Sequence, residues 1–269
     1  MWDTLYAGGW PARLGRPLGL QGPLQVRRHE IPIDRPAAPG SVLRVGFISD
    51  LHAGPATHPA LAGEACDAVA RETPDLVLLG GDYVSFHARH ADQLVEPLSR
   101  LRPPLGTFAV LGNHDLIGDE RYIVERLAEA GVRTLVNENV RLAAPHDDLW
   151  LVGLDNFEEG TPDAARAFAG ADGTRLVLMH SPDGLTPIGD RPFAAALCGH
   201  VHGGQFWLRG RSLISFHGPL SVQYLRGGVF PLAEGGSTLI VSRGIGCGNL
   251  PMRRGADPEV LLCTFRARP

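Results

Sequence analysis

Metal-ligand residue types stand directly after short apolar runs at several places in this chain. They are Asp50, His52, Asp82, Asn113, His114, Asp115, His180, His200 and His202. Carboxylate, amide and imidazole groups together suit divalent Mn, Fe, Zn or Co better than Mg²⁺ or Ca²⁺, which prefer oxygen alone. No cysteine belongs to the set, which argues against a closed structural zinc site. The set holds too many ligands for one ion and about the right number for two.

The elements that must position these residues alternate between strands and helices. Short apolar runs predict buried strands over 42–48, 75–80, 107–112, 148–154, 175–180, 193–199 and 237–242. Helical patterns cover 58–72, 91–101, 119–130 and 162–169, the third capped by Asp119 or a neighbour. This alternation predicts a layered α/β fold. Ligands in such folds collect beyond the carboxyl ends of the strands, so the polar residues are expected to meet there.

Glycines flank the candidate ligands and have a steric role in this interpretation. They are Gly80, Gly81, Gly112, Gly199, Gly203 and Gly204. We expect them to permit tight turns and a close approach of the backbone where a larger residue would block the site.

Five sequence blocks occur in order between residues 50 and 202: "DLH", "GGD", "GNHD", "MHSP" and "GHVH". This order resembles the pattern of the calcineurin-like metallophosphoesterases, which is D-x-H, G-D, G-N-H-D/E, H and G-H-x-H. The tail "SRGIGCGNLPMRRGADPEV" and the extended "GHVHGGQ" resemble a bacterial branch of phosphodiesterases and UDP-diacylglucosamine pyrophosphatases. The resemblance implies a four-layer α/β/β/α sandwich of two mixed β-sheets flanked by helices, with a dinuclear metal site at the carboxyl edge of the strands.

The resemblance also assigns ligands to two ions. One ion is expected at Asp50, His52, Asp82 and His202, and the other at Asp82, Asn113, His180 and His200. Two such ions about 3.5–4 Å apart lower the pKa of a shared water and neutralise charge on the phosphoryl oxygens. His114 is expected to face the substrate and to protonate the leaving oxygen, with Asp115 orienting it.

The predicted function is therefore hydrolysis of a phosphodiester or pyrophosphate bond by in-line attack of a metal-bridging hydroxide. Mn²⁺ is the favoured ion, with Fe, Zn and Co as alternatives. The substrate is expected to be a small molecule or a lipid-linked phosphodiester or pyrophosphate. Two other functions stay open: a phosphomonoesterase of the same fold, and a catalytically inactive scaffold that binds proteins.

Composition excludes several classes of protein. The net charge of −4 over 269 residues gives no global basic field for nucleic acid. No run approaches the roughly 20 apolar residues of a membrane span, so no transmembrane segment is expected and the predicted location is the cytoplasm. The branch that this chain resembles often carries an N-terminal membrane anchor, and the chain is expected to depart from the branch in this respect. The four cysteines form no CxxC pair, which suits a reducing compartment.

Residues 1–40 are rich in Gly and Pro and are predicted to form an arm packed on a domain over 41–269. The alternative is a peripheral contact with the inner face of the membrane.

Arg253 and Arg254 are expected in solvent, with a contact to phosphate as the alternative. Histidines without a strand-end position are expected at the surface or in loops: His58, His87, His90, His146 and His217. One of His87 and His90 lining the pocket is a further alternative.

Overall fold

In the computed structural model, the described part of the chain forms two β-sheets of six strands each. The structure describes residues 5–36, 41–213, 218–232 and 236–268, and the prediction for His217 falls outside these ranges. The first sheet has the order β1-β14-β2-β3-β4-β5, with β1 (Gln25–Ile33), β14 (Glu259–Ala267), β2 (Val42–Ile48), β3 (Leu76–Leu79), β4 (Thr107–Ala109) and β5 (Val132–Thr134). The second has the order β12-β13-β9-β8-β7-β6, with β12 (Gly228–Pro231), β13 (Thr238–Val241), β9 (Ala195–Cys198), β8 (Thr174–Leu178), β7 (Leu149–Gly153) and β6 (Glu138–Arg141).

The remaining elements connect the strands of the two sheets. A short hairpin of β10 (Trp207–Leu208) and β11 (Arg211–Ser212) lies outside both sheets. The α-helices are α1 (Trp10–Gly15), α2 (Ala60–Arg71), α3 (Asp92–Ser99), α4 (Asn113–Ile117), α5 (Glu120–Glu129), α6 (Ala164–Phe168), α7 (Leu185–Ile188) and α8 (Pro219–Gln223). Asp119 is the N-cap of α5, since its carboxylate accepts the N–H of Tyr122 at 3.1 Å. Among the described residues, no helix combines the length and the apolar character needed to cross a bilayer.

Buried hydrophobic side chains lie between four layers, two of helices and two of sheets. Phe47 and Phe265 of the first sheet and Leu178 of the second belong to one buried core between the sheets. Helices α2, α3 and α5 cover the outer face of the first sheet. Helices α6 and α7 cover the outer face of the second. The predicted α/β/β/α sandwich of two mixed sheets is therefore confirmed.

Parallel pairing brings the strand ends of each sheet to one edge. Strands β2, β3, β4 and β5 are parallel in succession, and so are β13, β9, β8 and β7. The loops that follow β2, β3 and β4 therefore lie side by side, and the loops that follow β8 and β9 do the same. These loops carry the candidate ligands.

Each predicted strand has its counterpart in β2, β3, β4, β7, β8, β9 and β13. The predicted helices correspond to α2, α3, α5 and α6. The sequence analysis missed β14, which lies between β1 and β2. It also missed β1, which forms the edge of the first sheet within the segment predicted to be an arm. The domain boundary at residue 40 stays a prediction.

Candidate metal centre

Four predicted ligands lie close together beyond the carboxyl ends of β2, β3 and β9. The ligand atoms of Asp50, His52, Asp82 and His202 lie within 4.8 Å of one another, and all four residues are buried. Nε2 of His52 lies 2.9 Å from Nε2 of His202 and 3.3 Å from Oδ2 of Asp82. Nε2 of His202 lies 3.5 Å from Oδ1 of Asp50. Two carboxylates and two imidazoles facing one point could hold a divalent metal ion.

A second group shares Asp82 and lies towards β8 and β9. Asp82, His180 and His200 could hold a metal ion. Oδ1 of Asn113 lies 3.1 Å from Nε2 of His180 and 3.1 Å from Nδ1 of His200. The structure thus brings together all seven residues that the sequence analysis predicted as ligands, with Asp82 common to both groups.

Backbone conformation marks the same residues. Among the described non-glycine residues with positive φ are five predicted ligands: Asp50, His52, Asp82, His200 and His202, with φ of 54°, 45°, 55°, 70° and 50°. The left-handed region costs an ordinary residue about 1–2 kcal/mol. Strain of this kind persists where the surrounding structure fixes it, and it clusters at functional sites.

Two of the glycines that flank the ligands are required sterically. A Cβ on Gly112 would collide with the carboxylate of Asp82, and a Cβ on Gly199 would collide with the carboxylate of Asp50. Both carboxylates therefore reach their positions only because the facing residue has no side chain. This matches the close approach predicted from the sequence.

Burial and charge decide which histidines are neutral. Burial lowers the pKa of His52 against the opposing effect of Asp82, and burial together with His52 and Arg253 holds the pKa of His202 well below its usual range. Burial and the neighbouring His180 also lower the pKa of His200. Neutral imidazoles have a lone pair to give to a metal, so these three rings fit the donor set.

His180 and Asp82 form a charged pair. Although burial favours the neutral imidazole, Asp82 raises the pKa of His180 to about 10. Burial also opposes ionisation of Asp82, but the charge of His180 holds the pKa of Asp82 well below its usual range. Nδ1–H of His180 donates to the carbonyl of Gly80 at 2.7 Å, which directs Nε2 towards Asp82. While Nε2 of His180 carries this proton, it has no lone pair available for a metal ion.

His114 lies beside the first group, in contact with the ring of His52 at 4.8 Å between centroids. Its backbone N–H donates to Oδ1 of Asp82 at 2.9 Å, and its Nδ1–H donates to the carbonyl of Ser85 at 2.8 Å. The second bond fixes the ring and leaves Nε2 as the nitrogen that can serve a substrate. His114 is half-buried.

The orienting role expected for Asp115 stays a prediction, because no hydrogen bond between its carboxylate and the ring of His114 is present among the described contacts. The buried carboxylate of Asp115 instead accepts backbone N–H groups of Asp82 at 2.8 Å, Tyr83 at 2.8 Å and Gly112 at 2.9 Å. Burial and the charge of Asp82 raise the pKa of Asp115 to about 7. Asp115 therefore holds the loop that carries Asp82.

Arg253 corrects a further expectation. Its side chain is buried rather than solvated, and it donates to the carbonyls of Gly246, Arg243 and Ala256 at 2.8, 2.9 and 3.0 Å. Its Nη2 also lies 3.1 Å from Nδ1 of His202. The sequence analysis missed this contact because the tail has no strand or helix pattern from which its path could be predicted. Arg254 is exposed, as expected.

One cavity lies beside the loop that follows β2. Its volume is about 270 Å³, and its lining includes Tyr6, Arg13, Gly54, Arg89 and His90. His90 lines this cavity, whereas the candidate ligands do not. The alternative that one of His87 and His90 lines the catalytic pocket stays a prediction. The cavity wall joins residues of the N-terminal segment to the loop that follows β2.

A two-sheet α/β sandwich with histidines, aspartates and an asparagine gathered at the carboxyl edge of its strands defines the class of metal-dependent phosphoesterases. The family model described as calcineurin-like phosphoesterase matches residues 43–204. This match covers more than half of the chain, and the chain belongs to that family. The family indicates a hydrolase that acts on phosphoric esters.

Individual relatives agree with this assignment. The chain is 37% identical over 179 residues to the phosphodiesterase YaeI of Escherichia coli (strain K12), covering 63% of this chain and 63% of YaeI. It is 28% identical over 253 residues to an uncharacterized metallophosphoesterase of Aquifex aeolicus (strain VF5), covering 91% and 93% of the two chains. The solved structure of TT1561 of Thermus thermophilus has a TM-score of 0.50 at 14% identity, over 76% of this chain and 90% of that one, which supports the fold alone.

Proposed function

We propose that the protein hydrolyses a phosphodiester or pyrophosphate bond with two divalent metal ions, for which Mn²⁺ is the favoured identity. The observation that carries the proposal is the pair of ligand groups that share Asp82, with His114 adjacent. Asp50, His52, Asp82 and His202 would hold one ion, and Asp82, Asn113, His180 and His200 the other. Two bound ions would activate water for in-line attack and neutralise charge on the phosphoryl oxygens.

The chain's own residues would supply orientation and a proton. Ser85 accepts Nδ1–H of His114, so Nε2 can carry a proton towards the leaving oxygen. Asp115 joins the loop of the shared ligand to the loop after β4, because its carboxylate accepts the N–H of Asp82 and the N–H of Gly112. A leaving alcohol or phosphate would thus depart as a neutral or less charged group.

The name of YaeI supports the diester over the monoester. The experiment compares hydrolysis of bis-p-nitrophenyl phosphate and p-nitrophenyl phosphate by the purified protein with Mn²⁺. We expect the higher kcat/KM for the diester. A strong preference for the monoester would instead support a phosphomonoesterase of the same fold, and hydrolysis of neither by metal-loaded protein would support an inactive scaffold.

We also propose that residues 5–20 contact the surface of an anionic membrane beside the centre. Tyr6 and Ala12 are buried against the domain. The opposite side of the segment presents large apolar side chains that are each more than half exposed: Leu5, Trp10, Leu14 and Leu18. Residues 5–20 contain Arg13 and Arg16 and no acidic residue. Arg16 pairs with Glu64, so Arg13 supplies the basic charge beside this apolar surface. An apolar surface next to basic charge is the pattern of interfacial segments, and it would bring a lipid-linked substrate to the cavity that Arg13 lines.

A further inference from the structure

Glu158 lies in a loop between β7 and α6, next to the second ligand group. Oδ1 of the fully buried Asn156 accepts the N–H groups of Glu158 and Glu159 at 2.9 and 2.7 Å. The carboxylate of Asp155 accepts the N–H groups of Asn156 and Thr161 at 2.8 and 2.9 Å. These bonds hold the backbone on both sides of Glu158, so the direction of its side chain is set by the loop.

The carboxylate of Glu158 faces two residues of the loops after β8 and β9. Its Oε1 accepts the hydroxyl of Ser181 at 2.8 Å, and Ser181 follows the candidate ligand His180. The same Oε1 lies 3.8 Å from Nε2 of His200. The side chain of Glu158 retains 16% of its exposure, so it lies at the wall of the site rather than in bulk solvent.

The second oxygen of this carboxylate lacks a hydrogen-bond donor among the described residues. Oε2 of Glu158 is inaccessible to solvent and has no hydrogen-bond partner among the described residues. A buried acceptor without a donor is costly, and such atoms in native proteins require an explanation. Closing the 3.8 Å separation between this carboxylate and Nε2 of His200 would give it a second donor.

The geometry of His200 supplies the matching donor. His200 turns Nδ1 towards the second group, where it lies 3.1 Å from Asn113 and 3.2 Å from Nε2 of His180. A neutral imidazole that gives the Nδ1 lone pair to a metal must carry its proton on Nε2, the nitrogen nearest to Glu158. Metal-ligating histidines commonly donate this second N–H to a carboxylate, which fixes the ring and increases its basicity.

We propose that Glu158 is a positioning residue for the second metal ion: it accepts Nε2–H of His200 and holds Nδ1 towards that ion. The inference rests on the two-ion site of the proposed function, though not on the bond that is hydrolysed. Asp82 is the one carboxylate in the second group and is shared with the first. Glu158 therefore also adds negative charge on the side of the centre where the ligands of the second ion other than Asp82 carry no negative charge.

The experiment measures Mn²⁺ binding by isothermal titration calorimetry and metal content after dialysis, with no substrate present. In Glu158→Ala we expect the second ion to bind about 10- to 100-fold more weakly than in the wild type, with the first ion unaffected. Glu158→Gln keeps an acceptor oxygen without the charge and should fall between the two. Glu159→Ala, which changes the exposed neighbour in the same loop, is the matched control and should bind both ions normally.

The outcomes separate this inference from the proposed function. The inference would be overturned if Glu158→Ala and Glu158→Gln bound both ions with wild-type affinity, or if the wild type bound a single ion. If Glu158→Ala does not fold by circular dichroism, the near-isosteric Glu158→Gln decides alone. Selective loss of the second ion in a protein that hydrolyses no phosphodiester would uphold the role of Glu158 and contradict the proposed activity.

Discussion

Nε2 of His52 and Nε2 of His202 lie 2.9 Å apart in the interior, although 150 residues separate them in the chain. Burial lowers the pKa of both rings, so both are neutral and at most one of the facing nitrogens carries a proton. A nitrogen lone pair is therefore directed into a space that two carboxylates also line. This arrangement suits a divalent cation. It does not stabilise the packing of the interior, because a pair of apolar side chains would fill the same space without burying polar groups.

His114→Ala should lower turnover and leave the metal content unchanged. We expect kcat to fall about 100- to 10,000-fold for a diester with a poor alkyl leaving group, because protonation of that group is lost. The loss should be smaller for bis-p-nitrophenyl phosphate, whose leaving group needs little assistance. Steady-state kinetics on both substrates and metal analysis check this, with the exposed His87→Ala as control. Equal losses for both leaving groups would contradict the role of an acid.

Asp115→Ala should destabilise the fold, which distinguishes the observed role of Asp115 from the orienting role first expected. The substitution leaves four buried N–H groups without their acceptor, those of Asp82, Tyr83, Val84 and Gly112. We expect the free energy of unfolding to fall by about 3 kcal/mol or more. Urea unfolding in the presence of a chelator measures this, and His114→Ala should be nearly neutral in the same assay. A stable Asp115→Ala variant with the kinetics of His114→Ala would restore the orienting role.

Metal affinity should increase with pH. In the metal-free protein, Asp82 raises the pKa of His180 to about 10 against the effect of burial, so His180 is protonated at neutral pH. An ion at this nitrogen must displace the proton, and below pH 10 its affinity should rise about tenfold per pH unit for each proton released. Calorimetry between pH 6 and 8, in two buffers with different ionisation enthalpies, counts these protons. An affinity that is flat or falls over this range is the contrary result.

Residues 5–20 should confer binding to anionic vesicles. We expect the protein to co-sediment with vesicles that contain phosphatidylglycerol, and to do so more weakly with pure phosphatidylcholine. Leu14→Ser together with Leu18→Ser should abolish this, because both side chains are exposed. Val222→Ser removes an exposed apolar residue of α8 and should have no effect. Equal sedimentation of the double variant and the wild type would argue that the segment only packs on the domain.

Much of the fold follows from the sequence because its central strands are continuous apolar runs of the kind that parallel sheets bury. Strand β14 was not predicted, since it follows a Gly- and Pro-rich tail and gains its place only from pairing with β1 and β2. Strand β1 mixes charged residues and Pro32 with its apolar ones, as an edge strand does, and so gives a weak pattern.

The candidate ligands could be chosen from the sequence because each stands at the end of a strand with a glycine nearby. What the sequence could not reveal depends on how the loops fold. The left-handed φ of Asp82 and His200 is uncommon for residues other than glycine, and no sequence pattern predicts it. The contact of Arg253 with His202 and the approach of Glu158 to His200 join distant loops without any motif.

The central claim is that two metal ions share Asp82 and that both are needed for hydrolysis. It is tested most directly by adding Mn²⁺ in known equivalents to the metal-free protein and following the rate on bis-p-nitrophenyl phosphate. We predict that the rate rises to a plateau at two equivalents, and that Asp82→Asn loses more than about 100-fold in activity together with bound metal. Asp67→Asn, a change on α2 at a carboxylate that pairs with Arg100, should match the wild type. A plateau at one equivalent, or near-normal rates in Asp82→Asn, would contradict the claim.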